Sequence, residues 1–362
     1  MSGRFRSGGP QPTPRRRLAV AGLSALGTLA AVAAVAVLWL IWAWASPGPR
    51  AADGHATTVT LRQGAGLGEI SASLEHARVI RSGPLFAAIA QITGAARQLR
   101  AGEYQFRSGA SMAAVLDQVR HGRVVRHFVT IPEGVTSDMV IDILMRTPGL
   151  TGAAPSPPEG TVLPETYEVQ AGEDRAAVLQ RMMDARDRLL ATLWQARRPG
   201  LPFATPDEAV TLASIVEKET ARADERPRIA SVFINRLRQN IPLASDPTII
   251  YGITRGRPLG RGIRRSELAA PSPYNSYLNP GLPPTPIANP GRAALAAVLD
   301  PPDTSDLYFV ANGTGGHSFA ADLATHERNV AHWREIEAQR AAARRGAAAP
   351  APAPPSGPPA TR

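Results

Sequence analysis

From Leu18 to Pro47 the sequence carries no charged side chain, and such a run exceeds the roughly 20 apolar residues that cross a hydrocarbon core. It predicts a membrane-spanning helix over residues 18–46. Beyond it the pattern breaks into short alternations and helical periodicities. VTLRQG, Val59 to Gly64, ends on glycine and is followed by Leu67, Ile70 and Leu74 at helical spacing. VTIPEG, Val129 to Gly134, repeats the arrangement, with Met139, Val140, Ile143 and Leu144 after it. The two copies form a loose internal repeat of strand, glycine turn and amphipathic helix. AGEYQF, Ala101 to Phe106, alternates and closes the first copy as a strand. Pro/Gly-containing stretches at 47–57 and 148–160 read as a linker and a boundary, and the Ala/Pro-rich end over 338–362 reads as disordered. The fold class is α+β: an N-terminal transmembrane helix, a membrane-proximal strand-helix region over 58–150 and a mixed α+β domain over 159–337.

One helix in the second domain has strong signals. Thr205 is placed as its N-cap, Pro206 at the first helical position and Glu208 three residues after the cap, completing a capping box. The helix is expected to run to about Thr220. At 100° per residue Leu212, Ile215, Val216 and Glu219 share one face, and Glu217 points nearly the opposite way. A carboxylate on an apolar stripe is either paired with a cation or disfavoured in its charged form, which raises its pKa and suits a general acid. From pattern alone a structural ion pair competes with catalysis, because Arg226, Arg228 and Arg236 follow closely.

The net charge of +10, with 40 basic and 30 acidic residues, would suggest a polyanionic partner. The excess sits at the ends, however. Arg4, Arg6, Arg15, Arg16 and Arg17 precede Pro49 with no acid among them, and Arg340, Arg344, Arg345 and Arg362 close the chain in the same way. Removing those nine leaves 31 basic against 30 acidic residues, which excludes nucleic acid as the expected partner. Arg15–Arg17 abut the apolar run and Trp39, Trp42 and Trp44 lie near its end. This arrangement keeps residues 1–17 in the cytoplasm as a basic arm and places the rest outside. A cleaved signal peptide shares the basic start, but its apolar core is shorter. The chain has no cysteine, so neither disulfides nor thiolate metal sites arise. Gly313–Gly316 lacks the lysine of a phosphate loop, and His326 and His332 do not have the four-residue spacing of a helical zinc pair. His317 is read as following a tight turn ahead of a strand, and His326 and His332 as lying on a solvated helix. No metal or cofactor is expected.

Asp246-Pro247 reads as a helix start, with charge stabilisation as the other role. Asn235, Tyr251, Tyr274, Asn275 and Tyr277 offer the amide and ring groups that sugars require, and core or loop support is the alternative for each. Glu165 is either an acid lining a cleft or a turn residue.

The series LASIVEKET (212–220), ASVFINRL (230–237), DPTIIYG (246–252), YNSY (274–277), GLPP (281–284), IANPG (287–291) and YFVANGTGGHSF (308–319) closely resembles, in order, the YceG-like endolytic murein transglycosylases. The strand-helix layout after the membrane segment resembles a LysM-type glycan-binding module. The resemblance implies that Glu219, the second glutamate of Glu217-Lys218-Glu219, is catalytic. It also implies that the enzyme is a lyase on peptidoglycan strands, outside the cytoplasmic membrane and beside penicillin-binding synthases; Glu217 is kept as a substrate-binding or supporting candidate. A non-enzymatic wall-binding scaffold and a muramidase-type hydrolase are the competing readings.

Overall fold

The computed structural model describes residues 14–62 and 64–347. The basic arm up to residue 13 and the end of the Ala/Pro-rich tail, 348–362, lie outside the described residues. Helix α1 covers Pro14–Ala45, and Leu26–Ala45 are apolar and long enough to cross a membrane. Leu29, Val32, Leu38, Trp39 and Ile41 on it have no protein cover. That suits a lipid environment, in which a helix satisfies its own backbone hydrogen bonds.

The chain divides into two compact units, the first ending at Arg126 and the second beginning at His127. In the first, β1 (Ala56–Leu61), α2 (Leu67–His76), α3 (Gly83–Ile92), β2 (Gly102–Arg107) and α4 (Met112–His121) follow in order. Strands β1 and β2 pair antiparallel with Val59 opposite Tyr104, so that Val59, Leu61, Tyr104 and Phe106 point inward onto Leu74, Phe86, Val115 and Val119. The alternation in both strands is the period of two that one buried face requires.

The second unit opens with the second copy of the repeat, β3 (His127–Thr130) and α5 (Ser137–Arg146), joined by a turn in which Gly134 takes φ 74°. Both copies thus form as expected, but the second belongs with the downstream elements. β3 pairs antiparallel with β4 (Thr166–Val169), and with α6 (Arg175–Gln195) they enclose a core of Val129, Ile131, Val140, Leu144, Val178 and Met182. Next come α7 (Pro206–Glu219), α8 (Arg226–Arg238), α9 (Asp246–Thr254), α10 (Arg265–Leu268), α11 (Arg292–Leu299), the hairpin β5 (Tyr308–Ala311) with β6 (His317–Ala320), and α12 (Leu323–Ala347). Helix α12 carries regular structure into the stretch expected to be disordered.

Helix α7 starts as its sequence demands. The Thr205 hydroxyl accepts from the Glu208 amide, the Glu208 carboxylate accepts from the Thr205 amide, and Pro206 takes the first position. The expected single apolar stripe is a correction: every residue from Ala209 to Val216 is buried, because α6, α8, α9 and α11 all pack against α7. Small residues at 209, 213 and 214 let these neighbours approach, so the helix is a central strut with no solvent face along that stretch.

Candidate functional site

Glu219 is the last residue of α7, and Thr220 turns into extended backbone. A carboxylate there sits at the negative end of the helix dipole. It opens into a cleft of about 450 Å³ lined by Arg236, Asp246, Tyr277, Phe309 and His326 among others, a volume in the range of small-ligand sites. The Ser245 hydroxyl donates to Glu219 Oε1 at 2.5 Å. Burial pushes the carboxyl up to about 6; the Ser245 hydrogen bond opposes this, the nearby Asp246 charge adds to the rise, and His317 and Arg236 pull it down.

The ion pair that competes with a chemical role is not made by Glu219. Arg228 forms a two-point pair with Asp306 at 2.6 and 3.2 Å. Arg226 lies 3.7 Å from Glu217, and Glu217 also accepts from the Gly291 amide at 2.9 Å. Arg236 donates to three backbone carbonyls, those of Leu307 at 2.6 Å, Leu243 at 2.9 Å and Pro242 at 3.3 Å. Glu217 is therefore the glutamate with the structural ion pair, and its side chain, at 5% exposure, is buried against expectation.

Asp246 and Tyr277 meet in the cleft, where the tyrosine hydroxyl donates to Asp246 Oδ1 at 2.6 Å. Burial and that hydrogen bond both hold the Tyr277 hydroxyl above its ordinary pKa, so it remains a donor. Asp246 was expected to cap α9, but Ser245 occupies the cap position. Its hydroxyl is committed to Glu219, and the Asp246 carboxylate is left to face the cleft.

The other expected contacts lie elsewhere. Tyr251 is a core residue, 1% exposed, whose hydroxyl donates to Glu159 Oε2 at 3.1 Å. Tyr274 packs edge-on against it and pairs with Thr285. Asn275 is buried and donates to the Leu268 and Ala270 carbonyls while accepting from the Tyr277 amide, which fixes the loop that presents Tyr277. Asn235 donates to the carbonyls of Thr304 and Asp306. Glu165 is half-exposed and pairs with Arg292 at 3.3 Å. Only Glu219, Asp246 and Tyr277 of the expected set share the cleft.

Four residues gain a place that sequence reasoning did not give them: Ser245, Arg236, His317 and His326. His317 does follow a tight turn and opens β6. Its ring pairs with Glu225 at 2.7 Å while its amide donates to the same carboxylate at 2.9 Å. A Cβ on Gly316 would stand 2.3 Å from that carboxylate, so the glycine run lets the hairpin close onto the start of α8. His326 is a correction: it stacks on Tyr308 with ring centres 4.9 Å apart and lines the cleft. Burial, then Arg236, lowers its pKa. His332 is exposed, as expected. The signal that was available for Ser245 was its place before Asp246-Pro247, which reads as a helix cap and says nothing of its partner.

Among the described residues no group of three or more His, Cys, Asp or Glu is arranged to hold a metal ion. The arrangement can hold a proton on an isolated carboxyl, beside one carboxylate, one guanidinium and a tyrosine donor. A sequence profile described as the YceG-like family matches residues 59–332. The endolytic murein transglycosylase of Streptococcus pneumoniae serotype 2 (strain D39) is 29% identical over 323 residues, which cover 76% of this chain and 58% of that protein. The endolytic murein transglycosylase of Bacillus subtilis (strain 168) is 41% identical over 119 residues, 33% of this chain and 32% of that one. The chain thus spans somewhat over half the length of the pneumococcal relative. A solved yceG-like protein from Listeria monocytogenes is 26% identical, with 76% of this chain and 98% of that chain covered and a TM-score of 0.48.

Proposed function

We propose, on the premise that this chain belongs to the YceG-like family, that it is an endolytic lytic transglycosylase of peptidoglycan with Glu219 as its acid and base. The observation that carries the reading is a glutamate that faces a cleft and, among the described residues, forms no ion pair, its carboxyl held near 6. Protonated Glu219 donates to the β-1,4 oxygen between N-acetylmuramic acid and N-acetylglucosamine. Positive charge develops at C1, and the Asp246 carboxylate in the same cleft favours it electrostatically. Glu219, now anionic, takes the proton of the muramyl C6 hydroxyl, which attacks C1 and closes a 1,6-anhydro ring. The nucleophile belongs to the substrate, so no activated water is needed.

Asp246 also supports a second reading, a muramidase-type hydrolase, because hydrolysis uses two carboxyl groups flanking the bond. Mass spectrometry of digested glycan separates them. Anhydromuramyl ends are expected, and reducing ends would transfer the assignment to hydrolysis. Binding to glycan with no product of either kind would favour a wall-binding scaffold.

The three arginines before Leu18 support a cytoplasmic N-terminus in the inner membrane, with both units outside. The β-α-α-β order of the first unit supports a LysM-like glycan contact there. Acting on nascent strands, the enzyme would work beside penicillin-binding synthases and terminate glycan elongation. Protease digestion of sealed spheroplasts tests the topology, since protection of the second unit would reverse it.

A further inference from the structure

Arg236 has hydrogen-bonding capacity that the fold leaves unused. Its Nε donates to the Leu307 carbonyl, and Nη1 donates to those of Pro242 and Leu243. A guanidinium has five N–H donors, so the two on Nη2 remain. Nη2 is not among the buried side-chain atoms that lack a partner, and Arg236 lines the cleft; its open edge is therefore the Nη2 edge. No carboxylate of the protein forms an ion pair with it among the described residues. Glu219, the acid whose charge it feels, accepts its hydrogen bond from the Ser245 hydroxyl instead. The three carbonyls fix the group in place, so its position costs little further entropy on binding. Beside it the cleft wall is apolar, with Leu243, Phe309 and Val330, which reduces screening of the charge.

We infer that Arg236 is a specificity residue that receives a carboxylate borne by the muramyl residue next to the scissile bond, and that it thereby sets which of the two alternating bonds reaches Glu219. This deepens the glycan-cleaving function proposed above and rests on it. In a strand of alternating sugars both glycosidic links are β-1,4, and both sugars carry an acetamido group. Only the muramyl residue carries the lactyl ether with its carboxylate or carboxylate-bearing peptide stem. A fixed cation on one side of the acid distinguishes the two registers, because the register that places N-acetylglucosamine beside Arg236 leaves the cleft-facing guanidinium edge without an anion. The Asp246 carboxylate repels a second carboxylate from its own part of the cleft, which sharpens the same choice.

The experiment varies the substrate before the protein. Full-length enzyme in detergent digests glycan strands with intact carboxylates and the same strands after carbodiimide amidation, and anhydromuramyl ends are counted by mass spectrometry. Intact strands are expected to be cut about tenfold or more faster, the loss of one charge-assisted contact of about 1.4 kcal/mol. Arg236→Met is expected to cut both at one low rate, and Arg236→Lys to keep part of the preference. Equal rates on intact and amidated strands for the natural enzyme would overturn the inference while leaving the lyase function standing. An Arg236→Met enzyme that keeps the preference and only shifts its pH profile would also overturn it, reducing Arg236 to a tuner of Glu219. Absence of anhydromuramyl ends from intact strands would instead remove the function on which the inference depends. The amidation arm needs no variant, so a fold defect in Arg236→Met leaves it decisive.

Discussion

Glu217 and Glu219 leave the last turn of α7 two residues apart and reach regions of opposite character. Glu217 itself has partners: Arg226 at 3.7 Å and the Gly291 amide at 2.9 Å, with Lys218 next to it reaching the Gly134 carbonyl at 3.1 Å. Around Glu219 there is one hydroxyl, from Ser245, and a cleft. Burial raises the pKa of both carboxyls, so burial alone does not make a reactive acid. The difference is where the free energy of burial is offset. A carboxylate with a cation and a backbone amide is held in its charged form and ties α7 to the start of α11; one with neither keeps its proton nearer to neutrality and is available to a substrate.

The largest expected effect tests the reactive side. Glu219→Gln keeps the Ser245 hydrogen bond but cannot exchange a proton, and it should lower the rate of anhydromuramyl formation by about 10³-fold or more. Turnover near the natural rate would remove Glu219 from the mechanism. On the other side, Glu217→Gln leaves buried Arg226 with only the half-exposed Glu133 carboxylate at 4.0 Å, while Arg226 Nε already has no partner. A loss of about 3 kcal/mol in denaturant unfolding is expected, with the same products from whatever enzyme remains folded. If instead activity vanished at unchanged stability, the two roles would have to be exchanged.

The pH dependence sharpens the contrast. The cleavage step needs the protonated acid, so kcat/KM should fall as pH rises through about 6. Asp246→Asn removes the charge that adds to the rise, and the limb should move to lower pH. The folded-state value, about 6, lies above the ordinary 4.5, so the native state binds this proton more tightly than the unfolded chain. That stabilisation is complete below about pH 4.5 and lost as pH rises through about 6. Glu219→Gln avoids the charged form and should be about 1–2 kcal/mol more stable than the natural protein at pH 7 by chemical denaturation. The smallest effect is expected at Tyr251→Phe. Losing the bond to Glu159 should cost about 1 kcal/mol of stability and leave product formation intact; a large rise in KM would return Tyr251 to the cleft.

Much of this was legible in the residues. The capping box fixed the start of α7 to the residue, because those bonds are made within four positions of one another. The two strand-turn-helix copies were legible because alternation and glycine placement are local. Glu219 was selected by its motif and by an assumed apolar face. The motif does not depend on packing, whereas the face argument lost force once α7 proved buried on every side from Ala209 to Val216. Asn235, Tyr251, Tyr274 and Asn275 have side chains that suit sugars and loops equally, and pattern could not divide them.

What the sequence by itself determined, then, is what depends on neighbours along the chain: the apolar segment and its basic flank, the helix starts, the turns, and membership of a family through motifs in series. The tertiary structure decided the partners. Arg226 reached Glu217 rather than Glu219, the Ser245 hydroxyl turned from its own helix to a carboxylate 26 positions away, Arg236 and His326 came together from α8 and α12, and His317 of β6 reached Glu225. The physical reason is that an ionisable group takes its chemistry from what surrounds it within a few ångströms. Those surroundings are assembled by the packing of distant elements, not by the order of residues.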